Sequence, residues 1–193
     1  MRFNSARLAW NQAFSFYGPG IDYRQIRGGD SKLTASDAFW DNAERGVIIA
    51  AVHHLREHDY IAYCWGMMAY TECLEVTSER AQVEWYLLEE FATQRPHVDI
   101  ESQRRSISIL ADQALQDAIR DDNLIEDGKP CRKSRGHFVE LSKRMGIEHE
   151  VFFTRYRRHY DLLRDIALDL PGRALGYVGG EIARRIKEKQ LDY

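Results

Sequence analysis

From Ser36 to Ile119 apolar side chains recur at spacings of three and four, the repeat of one α-helical face. No stretch shows the strict alternation that a half-buried strand needs. That regularity predicts an all-α fold, a compact helical body. Ser36 or Asp37 caps a helix running to about Glu57, with Phe39, Trp40, Ala43, Val47, Ile48, Ala51, Val52 and Leu55 on its stripe. Asp59 begins a second helix, Tyr60 to about Glu75. Ser78 caps a third, with Val83, Tyr86, Leu87, Glu90 and Phe91 at helical spacing and Pro96 beyond its end. Asp99 caps a fourth, whose buried stripe is Ile107, Leu110, Ala114, Leu115 and Ile119.

Outside that body the pattern changes. Residues 1–35 are rich in aromatics and glycine, and Gly18-Pro19-Gly20 and Gly28-Gly29 break anything long. They read as a loop-rich arm, with helical turns around Ala6 to Phe14 and aromatics that dock on the body. The stretch Asp121 to Gly136 is polar, holds Asp127-Gly128 and Pro130, and reads as a linker. Leu170-Pro171-Gly172 punctuates again, and a last helix follows whose first half Gly176, Gly179 and Gly180 weaken. The expected division is an arm (1–35), a helical body (36–121), a helix-turn-helix module (122–170) and a C-terminal helix (171–193).

At 193 residues the chain can hold one ample core or two small domains. With 44% hydrophobic and 30% charged residues it is globular in composition. No apolar run approaches the roughly 18 to 20 residues of a membrane span, and MRFNSARLAW lacks the apolar region of a secretory signal. Cys64, Cys73 and Cys131 are odd in number and far apart, so they suggest reduced thiols rather than a disulfide framework. The expected location is cytoplasmic.

The stretch Phe138 to Tyr160, FVELSKRMGIEHEVFFTRYRRHY, reads as a helix-turn-helix. Phe138, Leu141 and Met145 make the apolar face of the first helix, and Ser142 permits close packing. Gly146 stands where the chain must turn sharply, because glycine reaches positive φ without a Cβ clash. Ile147 plugs the gap. The second helix starts near His149, with Phe152 and Tyr156 inward, one helical turn apart. The pattern departs from the usual motif at Arg155, where an aliphatic residue is common. From Lys129 to Arg164 there are ten Lys or Arg against four acids, about +6 in a chain of net charge -3. Such a segment suits phosphate neutralisation. On this reading His149, Phe153, Thr154 and Arg157 face away from the inward side. Arg157 or Thr154 reaches base edges, and Lys133, Arg135, Lys143 and Arg158 touch phosphates.

Catalytic patterns are thin. His54-Leu55-Arg56-Glu57-His58 fits the inverted zinc-protease spacing H-x-x-E-H. Nothing singles out a third ligand among Glu72, Glu75 and Glu79, and neighbouring His53 points to a solvated histidine cluster. Gly18-Pro19-Gly20 lacks the strand and helix of a phosphate loop, no G-x-S-x-G is present, and Cys131 has no evident base partner. The expectation is a non-enzyme without metal or cofactor. Glu72, Glu75, Glu79, Glu84, Glu89 and Glu90 read as a solvated face.

The body opens with Trp40, Ala43, Glu44, Ile48, Ala51 and Val52 at W-x-x-A-E-x-x-x-I-x-x-A-V spacing, followed by Leu55 and Ala62. In size, helical plan and helix-turn-helix, the chain over about Ser36 to Tyr160 resembles bacteriophage Q-type transcription antitermination factors. The zinc-binding members carry paired cysteines that this chain lacks, so the resemblance is to the zinc-free branch. It implies a factor that binds duplex DNA near a promoter, loads onto paused bacterial RNA polymerase, and narrows the RNA exit channel so that terminator hairpins cannot fold. The nascent RNA is then a further partner. Two other functions fit the same residues: a conventional helix-turn-helix regulator of initiation, and a phage-encoded protein-binding inhibitor.

Overall fold

In the computed structural model residues 6–14, 35–71, 76–124 and 135–191 are described, except the side chains at 12, 35–44, 123–124, 135, 185–186 and 189–191. Every described element is helical. In chain order they are α1 (Ala6–Phe14), α2 (Ala35–His58), α3 (Tyr60–Tyr70), α4 (Thr77–Gln94), α5 (Ile100–Leu124), α6 (Arg135–Met145), α7 (His149–Val151), a π-helical turn (Phe152–Tyr156) and α8 (Arg157–Leu191). The all-α expectation holds.

The contacts divide the chain into two units, Met1–Val76 with Arg173–Tyr193, and Thr77–Gly172. This differs from the division expected above. The third and fourth helices of the expected body, α4 and α5, belong with the segment that holds Gly146, because their apolar stripes pack within that unit. The expected C-terminal helix belongs with the first unit.

In the first unit, α3 is apolar nearly all round and is buried accordingly, from Ala62 to Met67 and at Tyr70. Asp59 starts it, its carboxylate accepting from Ala62 N–H at 3.1 Å. The same carboxylate is gripped by Arg173 at 2.9 and 2.8 Å. α1 packs on α2 and α3 through Ala9, Trp10 and Ala13, all buried. The part of the arm that is described is therefore a docked helix; residues 15–34, with both glycine clusters, lie outside the described residues. The Trp10 indole lies against Gly66, where an added Cβ would stand 2.1 Å from its Cη2. Only glycine leaves that space. Arg45 Nε donates to the Ala13 carbonyl at 2.6 Å and satisfies one open end of α1. Of the predicted α2 stripe, Ile48, Ala51, Val52 and Leu55 are buried.

In the second unit, Val83, Leu87 and Phe91 of α4 and Ile107, Leu110, Ala114 and Leu115 of α5 are buried, while Tyr86 and Ile119 of the same predicted stripes are half-buried. Asp99 caps α5 as predicted, accepting from Ser102 N–H at 3.2 Å. Ser78 does not cap α4. It sits inside the first turn and its hydroxyl donates to Glu79 at 2.8 Å. The linker expected over 121–136 is helical at its start, since α5 runs to Leu124, and 125–134 lie outside the described residues.

The punctuation expected at Leu170-Pro171-Gly172 is absent: α8 passes through Pro171. Proline in a helix interior costs about 3 kcal/mol. Leu170 in the second unit and Ala174 and Val178 in the first are fully buried, and such packing, more than propensity, decides whether a helix forms.

Candidate nucleic-acid interface

The turn between α6 and α7 is built as its glycine requires. Gly146 has φ 68°, the only positive value among the described residues. Its N–H donates to Lys143 O at 3.0 Å, and Ile147 N–H donates to Ser142 O at 3.1 Å. These are the two bonds of a Schellman motif, which closes a helix and turns the chain sharply. Phe138, Leu141, Ser142 and Met145 are buried on the face of α6 that the sequence predicts.

The helix after the turn departs from expectation. Phe152 is fully buried, but Tyr156 is only half-buried, and the second inward residue is Tyr160. Both Phe152 and Tyr160 meet the Phe138 ring, at 5.7 and 5.5 Å between centroids. The cause is the π-helical turn, where Arg157 N–H bonds to Phe152 O. A turn closed by i→i+5 bonds takes in an extra residue. Two residues eight apart overshoot two α-helical turns of about 3.6 residues each, and the wider turn realigns them. Arg155, within that turn, is exposed.

A buried polar cluster holds this helix to α5. Asp117 and Asp121 are essentially without solvent exposure, at 1% and 0%. Tyr160 Oη donates to Asp117 Oδ2 at 2.6 Å, His137 Nε2 lies 2.9 Å from the same oxygen, and Arg120 pairs with Oδ1. Arg164 reaches Asp121 Oδ2 through Nη2 at 2.7 Å and Nε at 3.2 Å. Burial, and then the Asp117 carboxylate, push the Tyr160 phenol far above its ordinary range. Tyr160 is thereby held as a hydrogen-bond donor. Asp112 ties α4 to α6: Arg80 pairs with its Oδ1, and Arg144 Nη2 with its Oδ2 at 3.2 Å. Burial opposes ionisation of Asp112, but hydrogen bonds from Gln116, Arg80 and Arg144 hold its pKa below the usual carboxylate value.

The expected contact residues are thus sorted. Lys133 lies outside the described residues. Arg135 opens α6, its side chain outside the description. Lys143 is exposed, loosely paired to Glu140 at 3.6 Å. Phe153 is 39% exposed at the rim of the aromatic cluster, with His149 edge-on at 4.6 Å. Thr154 is exposed, its hydroxyl donating to Glu150 O at 2.9 Å, which leaves the oxygen free to accept. Arg158 is exposed. Arg157 is engaged internally: its guanidinium lies 3.8 Å above the Phe138 ring and its Nε bonds Asp161 at 2.9 Å. Arg155, which the sequence reading passed over as a misfit, is placed outward with Thr154 and Arg158. The sequence marks Arg155 only as a departure from the motif; its outward place follows from the packing of Phe152 and Tyr160.

The other sequence candidates are dispersed. His54, Glu57 and His58 are exposed along α2, and no group of three metal-ligating side chains occurs among the described residues. Cys64 is buried and forms no disulfide; Cys73 and Cys131 lie outside the described residues. No described helix is long and apolar enough to cross a membrane. Arg184 is held by Glu181 and Glu188 at 2.8 and 2.6 Å. Comparison with protein-family models, curated proteins and solved structures finds no match to this chain.

Proposed function

We propose that this chain binds duplex DNA through the helix that follows Gly146 and acts on transcription as an antitermination factor. The observation that supports the reading is one surface. After a Schellman turn, Thr154, Arg155 and Arg158 stand outward on a helix that is fixed from behind by Phe152, Tyr160 and the buried carboxylates. A rigid helix with cationic and hydroxyl side chains on its free face suits the major groove. Base reading falls to Thr154, with Phe153 available to a thymine methyl, and phosphate contact to Arg155, Arg158 and Lys143. Arg157 is a positioning residue in this scheme, not a reader. Antitermination is the form that the Q-type resemblance implies: DNA-directed loading onto RNA polymerase, then obstruction of hairpin folding at the RNA exit.

The test is transcription with purified bacterial polymerase on templates with and without an intrinsic terminator, the upstream element intact or scrambled. Read-through that requires both protein and element is the expected result. A change in promoter output with unaltered termination replaces antitermination with conventional regulation. No effect and no retention on duplex DNA leaves the protein-binding inhibitor.

A further inference from the structure

The described arginines of the second unit fall into two sets. Arg80, Arg120, Arg144, Arg157 and Arg164 are paired with carboxylates of the same unit. Arg95, Arg155 and Arg158 have no ion pair or side-chain hydrogen bond among the described residues, and neither do Arg104 and Arg105 on α5. Three of them, Arg95, Arg155 and Arg158, lie around one histidine, His159. Arg95 N–H donates to Phe91 O at 2.9 Å, so Arg95 stands one helical turn beyond Phe91, and the turn that follows carries His97, exposed. Phe91 also meets the edge of the His159 ring at 5.2 Å. His159 in turn is one turn beyond Arg155 and adjacent to Arg158. Its Nδ1 is buried without a hydrogen-bond partner among the described residues. Burial, then the charges of Arg95 and His97, hold its pKa below the ordinary histidine value. The acids nearest in sequence to the turn are Asp99, committed to capping α5, and Glu101.

We propose that Arg95 and His97, backed by His159, form a second phosphate-gripping edge, which holds the backbone of the same DNA duplex that Arg155 and Arg158 approach. The occupant is fixed by charge: these basic groups lack a compensating carboxylate partner, and a phosphodiester supplies one negative charge per contact. Positive groups kept together without a partner repel one another, and an anion relieves that repulsion. The edge reads no sequence; it sets the register of the helix on the duplex. It rests on the DNA reading above and extends it to a turn that the helix-turn-helix pattern does not contain.

The experiment uses the full chain and a fluorescent mixed-sequence duplex, with Kd measured from about 50 to 200 mM salt. Arg95→Gln with His97→Gln should weaken binding several-fold and flatten the salt slope by about one contact or more, with the thermal melt unchanged. Lys187→Gln, a single charge removal on an exposed position of α8, should leave both alone. If the double variant keeps affinity and slope while Arg155→Gln with Arg158→Gln loses them, DNA binding stands and the second edge is wrong. If Lys187→Gln weakens binding as much, net charge explains the effect and the edge is again wrong. If the wild type ignores the duplex, or prefers single-stranded RNA of the same length, the DNA reading and the edge fall together.

Discussion

The two units bury their helices by different means. In the first, α3 buries its own Cys64, Trp65 and Tyr70 and takes the Trp10 ring against Gly66, and its carboxylate clamp, Asp59 with Arg173, stays partly exposed at its N-terminal end. In the second, the helix after the Gly146 turn is held partly by ions, with Asp117 and Asp121 buried against Tyr160, His137 and Arg164. Apolar packing is tolerant of direction; a carboxylate with two or three fixed donors is not. The difference suggests that the second unit gives up some stability to fix the angle and rotation of one helix, and that helix is the one with the outward Thr154, Arg155 and Arg158.

The sharpest way to break this comparison is to remove one member of the buried pair. Asp121→Ala leaves Arg164 largely buried and without its hydrogen-bonded carboxylate, and should cost about 3 to 5 kcal/mol in chemical denaturation. Replacing both, Asp121→Leu with Arg164→Met, should recover most of that loss. If the double variant is as unstable as the single, the pair is not an exchangeable clamp. Phe152→Ala should cost a similar amount, about 3 to 5 kcal/mol, because its ring is fully buried. A smaller loss would mean that the Phe138 cluster can collapse around the gap.

In the first unit the corresponding weak point is steric. Gly66→Ala places a methyl group where three Trp10 ring atoms lie within 2.8 Å. Overpacking of this kind costs about 1 to 3 kcal/mol. The Trp10 fluorescence should shift as the ring moves outward. An unshifted spectrum with an unchanged melt would show that α1 is not docked as described.

These effects mark what the sequence made legible. Periodicity alone located the stripes of α4 and α5, because a helix that buries one face must repeat its apolar residues. Gly146 was readable because positive φ has few other occupants. The π-helical turn was not, since nothing local in FFTRY separates it from an α-helical turn; the pairing of Phe152 with Tyr160 is a tertiary fact, set by Phe138. The fate of Arg157 was hidden for the same reason. Three arginines in four positions look alike in sequence, and only the positions of Asp161 and the Phe138 ring separate Arg157 from Arg155 and Arg158. The run of α8 through Pro171 was obscured by a strong local signal that burial overrides.

That sorting gives the next prediction. Arg157→Ala should cost about 0.5 to 2 kcal/mol of stability through the lost ring contact. Arg158→Ala should fall within about 0.5 kcal/mol of the wild-type stability, as for an exposed residue away from such features. On mixed-sequence DNA the order should reverse, with Arg158→Ala flattening the salt slope by about one. Equal effects in both assays would erase the distinction between the positioning and the contacting arginine.

The smallest expected effect concerns pH, and it probes His159 directly. Burial first, then Arg95 and His97, depress its pKa in the folded chain. The unfolded chain titrates near 6.5. As pH falls through that value the unfolded state takes up a proton that the folded state refuses, so stability is full above about 6.5 and declines until the depressed folded pKa is reached. His159 is only partly buried, so solvent screening keeps the loss small. His159→Gln should remove it, and the melts of wild type and variant should diverge between pH 7.5 and pH 5.5 in that sense alone, the range being about one unit either side of the reference. Duplex DNA should act in the opposite direction. A phosphate beside Arg95 and His97 offsets their repulsion and favours protonated His159, so binding takes up a proton. Affinity for the duplex should then rise more steeply on acidification in the wild type than in His159→Gln. Parallel pH profiles would place the phosphate elsewhere on the second unit and leave His159 as a structural contact of Phe91.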